Sequence, residues 1–472
     1  MTRFAVTLTP MILDLFRRVL GRRARLVDQP KLHVLPVRDH GVRREQISSC
    51  ALRVTDSLHK AGYEAFVVGG AVRDLLVGRP PKDFDVATNA TPDEVRRVIR
   101  RSRIIGRRFQ IVHALCQDEV VEVSTFRALQ ASGDDDQAAD EHGRLIRDNV
   151  FGSQEEDALR RDFTANALFY DPRKEEIWDY FDGVRDIRDR RLRMIGDPVR
   201  RYREDPVRML RAVRFASKLG FRIDESARNP IRELADLLSN VPSARLFDEM
   251  LKLLLSGHSV ECLRQLRAEG LHHGLLPLLD VVLDEPDVER FVNLALGTTD
   301  QRIADDKPVS PGFLFATLLW QQVRVTAERI EAGGESPVPA LFAAMDEVLD
   351  AQKEKLAIPR RYDAVMKEIW SLQPRFAQRG GQRPFRMLEH PRFRAAWDFL
   401  ALRADAGETD HTLVHWWDAF QQGDETQRAA LLVVEERPKR KRRRGGARRR
   451  RPEDGVGSAD TGGSGADEGD AR

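Results

Sequence analysis

Apolar and polar positions follow two different periods along this chain, and the change from one to the other divides it. EAFVVG, at residues 64–69, is an apolar run of strand length. AVRDLLVG after Gly69-Gly70 suits a short helix with Val72, Leu75 and Leu76 on one face. Before them, Ile47 to Ala61 carries Ala51, Leu52, Val54, Leu58 and Ala61 at helical spacing, with Gly62 just past its end. TPDEVRRVIRR is a helix with Thr91 as cap, Pro92 at its first position and Glu94 closing a capping box. IVHALC and EVVEVSTFR read as two strands joined at Gln117-Asp118. EEDALRRDFTANALFY begins helical and runs into a strand. DPRK turns, and EEIWDYFDG returns as the hairpin partner, stopped by Gly183. From Tyr202 onward helical spacing dominates: EDPVRMLRAVRFASKLGF between caps at Asp205 and Gly220, then SARLFDEMLKLLLSG, GFLFATLLWQQV and VPALFAAMDEVLDAQ. Residues 1–47 read as irregular and 129–149 as a mobile acidic loop. The expected class is α+β, a small head with both strands and helices followed by an all-helical body.

Composition adds further constraints. At 472 residues and 41% hydrophobic content, the chain has room for two or three domains with real cores. Cys50, Cys116 and Cys262 are far apart and in no metal-ligand spacing, so they read as reduced thiols and the expected compartment is the cytoplasm. No apolar run approaches the ~18 residues of a membrane span. The basic amphipathic stretch TPMILDLFRRVLGRRARL has no signal-peptide cleavage pattern and reads as a dispensable extension. The net charge of +3 is uneven: residues 1–436 hold 66 Lys and Arg against 69 Asp and Glu. The excess sits in RPKRKRRRGGARRRR, with eleven basic residues between Arg437 and Arg451. Such a run has no apolar face to fold around and suits a polyanion, with RNA or DNA phosphate as the default partner. The Gly/Asp/Ser-rich end after Pro452 is low-complexity.

Candidate chemistry clusters in four places. The order strand, Gly69-Gly70, helix aims backbone N–H groups at the turn and favours a phosphate there. Thirteen residues after Gly70, Asp83 and Asp85 flank Phe84 on an expected strand, so both carboxylates share a face. Two carboxylates beside a phosphate site are what a pair of Mg²⁺ ions needs for in-line attack on a triphosphate. Glu122 shares a strand face with Val120 and Ser124. It is a candidate third carboxylate, to accept a proton or hold a metal, and an ion pair with Arg127 explains it equally well. In ALRRDFTANAL, Asp162 and Asn166 lie at i, i+4 on an expected helix, beside Arg160 and Arg161. In EDPVRMLRAVRF, Asp205 as cap and Arg208 in the first turn can face one ligand. An acceptor beside a donor reads adenine or cytosine, whereas guanine and uracil leave both groups unpaired. Each block alone is explained as well by a turn, a solvated strand end or a helix cap.

Joined in this order, with Arg73 on the intervening helix, the blocks resemble the class II nucleotidyltransferases related to DNA polymerase beta. That group holds the tRNA CCA-adding enzymes and the bacterial poly(A) polymerases. The resemblance spans about residues 62–255, including SARLFDEMLKLL. It implies a polymerase-beta-like head, a mixed sheet with helices, and divides the chain as follows. Residues 1–47 are an extension, 48–183 the nucleotidyltransferase head, 184–256 a base-selecting helical neck, 257–436 a helical RNA-binding body and 437–472 a disordered Arg-rich tail. It implies catalytic Asp83, Asp85 and Asp162, with Asp83 and Asp85 on the metal. It implies nucleotide contacts from Gly69, Gly70, Arg73, Arg161, Asn166, Asp205 and Arg208. The cofactor expected is Mg²⁺, two ions, or Mn²⁺, with ATP as substrate and single-stranded RNA 3′ ends and the RNA-degradation machinery as partners. Three features favour the poly(A) polymerases: the long extension, GRRFQIVHALC against the family form GRRFxxxHV, and the Arg-rich tail. Ala114 departs from that form's valine. The alternatives are a CCA-adding tRNA nucleotidyltransferase and a catalytically inactive RNA-binding protein. The intact Asp83 and Asp85 argue against the inactive form. A phosphohydrolase is disfavoured because His272-His273 has no Asp at metal-ligand spacing.

Overall fold

The computed structural model describes residues 30–106, 110–117, 119–128, 150–272, 286–356 and 358–433. Its head is an eight-stranded sheet in the order β1-β8-β7-β2-β3-β6-β5-β4. The strands are β1 (His33–Pro36), β2 (Ala65–Val68), β3 (Asp85–Thr88), β4 (Ser102–Ile105), β5 (Ile111–Leu115), β6 (Val120–Thr125), β7 (Leu168–Asp171) and β8 (Glu176–Asp179). β3 and β6 run parallel and the other neighbours antiparallel, which makes the sheet mixed. The α-helices of the head and neck longer than one turn are α1 (Ser49–Lys60), α2 (Gly70–Leu76), α3 (Pro92–Val98), α4 (Gln154–Arg160), α5 (Gly183–Arg188), α6 (Pro198–Glu204), α7 (Val207–Leu219) and α8 (Ser243–Leu254).

The two faces of the sheet have different fates. Val67, Val86, Val112, Ala114, Val121 and Val123 point into the main core, where α1 presents Cys50, Ala51, Val54 and Leu58. Phe66, Val68, Ala87 and Phe169 point the other way, under Ala158 of α4 and the rings of Phe126, Tyr180 and Phe181. That second cluster covers the β2–β7 half. On the β6–β5 half of this face, Val120 and Glu122 are exposed and His113 half-buried. Of the expected caps, Thr91 and Glu94 form a reciprocal box on α3 and Gly220 ends α7 at φ 69°; Ser48 caps α1 as well. Past α8 the body is helical, with Pro286–Ala304, Pro311–Ala332, Pro337–Leu356, Asp363–Leu372 and Phe393–Asp405 packed in succession. A satellite core of Phe376, Phe393, Trp417 and Phe420 closes the described end.

Several expectations need correction. The extension is not wholly irregular: β1 pairs with β8, His33 opposite Asp179. Four residues with no clear alternation gain their order only from that neighbour. β4 was not expected, and it pairs with β5 in the same way. Gly183 does not end the hairpin but begins α5, because Asp179 accepts hydrogen bonds from Phe181, Gly183 and Val184 backbone N–H groups and folds the turn into a helix. Asp162 and Asn166 do not share a helix. α4 stops at Arg160, since Phe163 is fully buried, bridges Met194 and turns the chain toward the core. Burying such a ring is worth roughly 1.5–3 kcal/mol, more than a further helical turn. Asp205 does not cap the start of α7 but ends α6, its N–H donating to the Arg201 carbonyl, because Pro206 occupies the cap and Arg245 takes the Asp205 carboxylate. Cys50 and Cys116 are not separate thiols; they form a disulfide across 66 residues, Cα atoms 6.0 Å apart, where α1 meets the end of β5. Cys262 is free and buried. The loop expected at 129–149, the basic N-terminal stretch and the tail lie outside the described residues. Among the described residues no helix is long and apolar enough to cross a membrane.

Candidate active site

The β2–α2 turn depends on Gly69. Its φ of 69° and ψ of −123° belong to a region that glycine alone adopts readily. A Cβ there would stand 3.2 Å from Arg161 Nη1, so the guanidinium lies directly over the turn. Arg161 also donates to Asp157 at 3.0 Å and to the Asn166 carbonyl at 3.1 Å.

Beside this cation stand the carboxylates. Asp83 and Asp85 are exposed while Phe84 is buried, so the alternation holds although β3 starts only at Asp85. Parallel pairing sets Glu122 opposite Asp85 on the same face. Surrounding protein and the charge of Glu122, with a smaller push from Asp83, raise the Asp85 pKa to about 6, and Arg161 opposes the rise. Like charges held together in this way suit a cation. Among the described residues no three His, Cys, Asp or Glu side chains already converge at metal-ligand distance. Mg²⁺ takes one or two carboxylates and completes its shell with phosphate oxygens and water, so Asp83 and Asp85 fit it.

Asp162 is placed differently. It is 8% exposed, and its carboxylate accepts from Arg211 Nε at 2.9 Å and Nη2 at 2.6 Å, Phe163 N at 2.8 Å and Asn166 Nδ2 at 3.0 Å. Burial alone would raise its pKa, but Arg211 and these hydrogen bonds hold it below the ordinary value. Arg73 is likewise buried, donating to Asp74 and, at 2.5 Å, to Asn166 Oδ1. The side chains of Asp162, Asn166 and Arg73 thus form one hydrogen-bonded chain behind the Gly69 turn.

The neck supplies residues that the motifs alone do not single out. Arg211 and Arg214 continue the spacing of Arg208 along α7, a third-residue repeat that is visible in the sequence. Arg73, Arg211 and Arg214 surround the Phe215 ring at 5.1, 5.4 and 4.4 Å from its centroid. Buried Glu249 of α8 balances Arg211 and Arg214 at 3.7 and 3.5 Å. Asp205 and Arg208 lie at the junction of α6 and α7, where Arg208 donates to the Arg201 carbonyl at 2.8 Å and to Glu204 at 3.2 Å. Several buried polar atoms of the head and neck have no hydrogen-bond partner among the described residues: Arg161 Nε, Arg201 Nε, Arg214 Nε and Asp205 Oδ1.

A Gly-Gly turn under an arginine, next to paired carboxylates on a mixed sheet with a helical neck, is what the sequence resemblance to the class II nucleotidyltransferases leads one to expect, and the comparisons with known proteins show that class. The family described as "Poly A polymerase head domain" matches residues 65–193, "Probable RNA and SrmB- binding site of polymerase A" matches 220–283, and "Polymerase A arginine-rich C-terminus" matches 333–452. Poly(A) polymerase I of Escherichia coli O6:H1 is 45% identical over 418 residues, 86% of this chain and 90% of that protein. The Haemophilus influenzae poly(A) polymerase I is 44% identical over 84% of this chain and 89% of its own length. A CCA-adding enzyme of Bacillus velezensis is 40% identical but covers only 47% of this chain and 54% of its own length. Among solved structures, the Bacillus stearothermophilus CCA-adding enzyme in complex with CTP has a TM-score of 0.54 and 27% identity, covering 81% of this chain and 82% of that one. This chain belongs to the bacterial poly(A) polymerase I family.

Proposed function

We infer that this protein adds AMP from ATP to RNA 3′ ends without a template, as a polynucleotide adenylyltransferase. The observation that supports it most is the match to poly(A) polymerases along 86% of the chain, with Asp83 intact just before β3 and Asp85 and Glu122 paired on one sheet face. The Bacillus velezensis CCA-adding enzyme matches only 47% of the chain. We assign the head to chemistry, the neck to the base, and the body and tail to RNA. Both substrates are cytoplasmic, and the reaction is assigned there, its tailed products feeding the RNA-degradation machinery.

In this reading Arg161 and the Gly69–Gly70 turn hold the triphosphate. Asp83 and Asp85 would hold Mg²⁺ or Mn²⁺, which neutralises the phosphates and activates the attacking oxygen. Glu122 lies where it can orient the 3′-hydroxyl and accept its proton. Asp162 acts through Arg211 and Asn166, keeping the turn and the neck in one arrangement. At the neck, Asp205 Oδ1 accepts from the adenine amino group while Arg208 donates to ring N1. The test is the purified protein with a short unstructured RNA and each NTP separately. A long ladder with ATP alone is expected; addition confined to tRNA and requiring CTP would overturn the reading.

Arg208→Ala should lower discrimination for ATP over GTP and UTP by roughly tenfold or more, since a hydrogen bond from a charged donor is worth about 1.5–3 kcal/mol. RNA affinity should change little. Unchanged selectivity among the four nucleotides would make the α6–α7 junction structural only.

Truncation after Glu436 should leave a folded enzyme with weaker RNA binding and lower processivity. The slope of log K against log salt should flatten by roughly 0.7 for every RNA phosphate that the tail no longer neutralises. An unchanged affinity and salt slope would make the basic run a solubility tail.

A further inference from the structure

Strand pairing carries one row of side chains across the head. Val68 stands opposite Asp85, Asp85 opposite Glu122, Glu122 opposite His113, and His113 opposite Arg103. Paired residues share a face. The row therefore starts beside the Gly69–Gly70 turn, crosses the two carboxylates and ends with a histidine on β5 and an arginine on the edge strand β4. His113 Nε2 is 3.4 Å from Glu122 Oε1. Arg103 is exposed, and no partner holds its guanidinium among the described residues. Apolar pairs flank the charged row on the same face: Ile105 with Ile111 on one side, Leu115 with Val120 on the other. Ile105 is 42% exposed and Val120 49%.

We propose that this strip binds the 3′-terminal nucleotide of the primer RNA, with Arg103 and His113 on its phosphodiester and the apolar pairs under its base. The proposal rests on the polymerase reading above. The direction follows from in-line displacement, in which attacking and leaving oxygens lie on opposite sides of the phosphorus. Arg161 and the glycine turn occupy the leaving side, so the 3′-hydroxyl arrives from the Glu122 side. Strands repeat every ~4.8 Å, so His113 and Arg103 sit roughly 5 and 10 Å beyond Glu122, within reach of one nucleotide. A guanidinium is the natural partner for a phosphodiester, and exposed aliphatic side chains give a base a surface to lie on.

The experiment compares an unmodified RNA with one carrying a neutral methylphosphonate at its last linkage. Arg103→Ala should raise the primer KM about tenfold and leave the ATP KM within about twofold. Arg103→Lys should recover part of the loss, and His113→Gln should raise the primer KM less than Arg103→Ala does. Wild-type protein should bind the neutral-linkage RNA more weakly by fluorescence anisotropy without ATP. Arg103→Ala should not distinguish the two RNAs. A full methylphosphonate penalty in Arg103→Ala, or a fall in kcat with unchanged primer KM, would overturn the subsite and leave the polymerase reading standing. Wild-type protein that extends neither RNA would overturn both.

Discussion

Asp85→Asn should abolish nucleotide addition, by on the order of 10³-fold or more, while RNA binding and the fold survive. The loss is of charge stabilisation in the transition state, the largest effect a single group here can supply. The fold should survive because Asp85 costs the apo protein stability. Its pKa is raised to about 6 by surrounding protein and by Glu122. A raised carboxylate pKa means that stability is fullest below the unfolded value and falls as pH rises through the folded one. At neutral pH the amide removes that repulsion, so apo Asp85→Asn should melt no lower than wild type. Mg²⁺ should raise the melting temperature of wild-type protein with ATP and fail to do so in Asp85→Asn. Activity of the wild type should also fall as pH drops toward the Asp85 pKa, where a proton competes with the cation. Near wild-type turnover in Asp85→Asn or Asp83→Ala would remove these residues from catalysis.

Asp162→Ala should cost both activity and stability, which separates it from the metal pair. Its carboxylate is the counter-charge to Arg211, and cutting one half of a mostly buried pair costs about 3 kcal/mol or more. Asn166 and the Phe163 N–H lose their acceptor as well. The sign of its pH dependence is opposite to that of Asp85. The Asp162 pKa lies below the ordinary 3.8, so its contribution is present above that value and is lost as pH falls through the folded one. Wild-type protein should therefore lose stability in acid more steeply than Asp162→Ala. Glu122→Gln should do the reverse: a severe loss in kcat with thermal stability nearly unchanged. If Asp162→Ala melts like wild type but is inactive, Asp162 belongs with the reacting groups and Glu122 does not.

Much of the site was legible because its signals are local. Asp83 and Asp85 straddle buried Phe84 in the strand alternation that two-residue spacing requires. Gly69 has a φ of 69° that a side chain would strain, and Thr91, Glu94 and Gly220 cap helices by contacts within four residues. Elsewhere a distant contact outweighs a local preference. The helical spacing of Asp162 and Asn166 is real, yet the pull of Phe163 into the core ends the helix before them and leaves their hydrogen bond to form off it. Asp205 has the look of a cap, but Arg245, forty residues on, takes its carboxylate.

The chain's own order of residues thus determined its periods, caps, glycine turn, carboxylate pair and basic tail, since each depends on backbone geometry or charge over a few residues. Only the tertiary structure decided which groups meet. Arg211 reaches Asp162 across 49 residues, Asn166 meets Arg73 across 93, and Cys50 meets Cys116 across 66. The row from Asp85 through Glu122 and His113 to Arg103 crosses four strands whose order in the sheet is not their order in the chain. Its register is set by which strands pair and in which direction, and that follows from burying one face of the sheet rather than from any property of the segments taken singly.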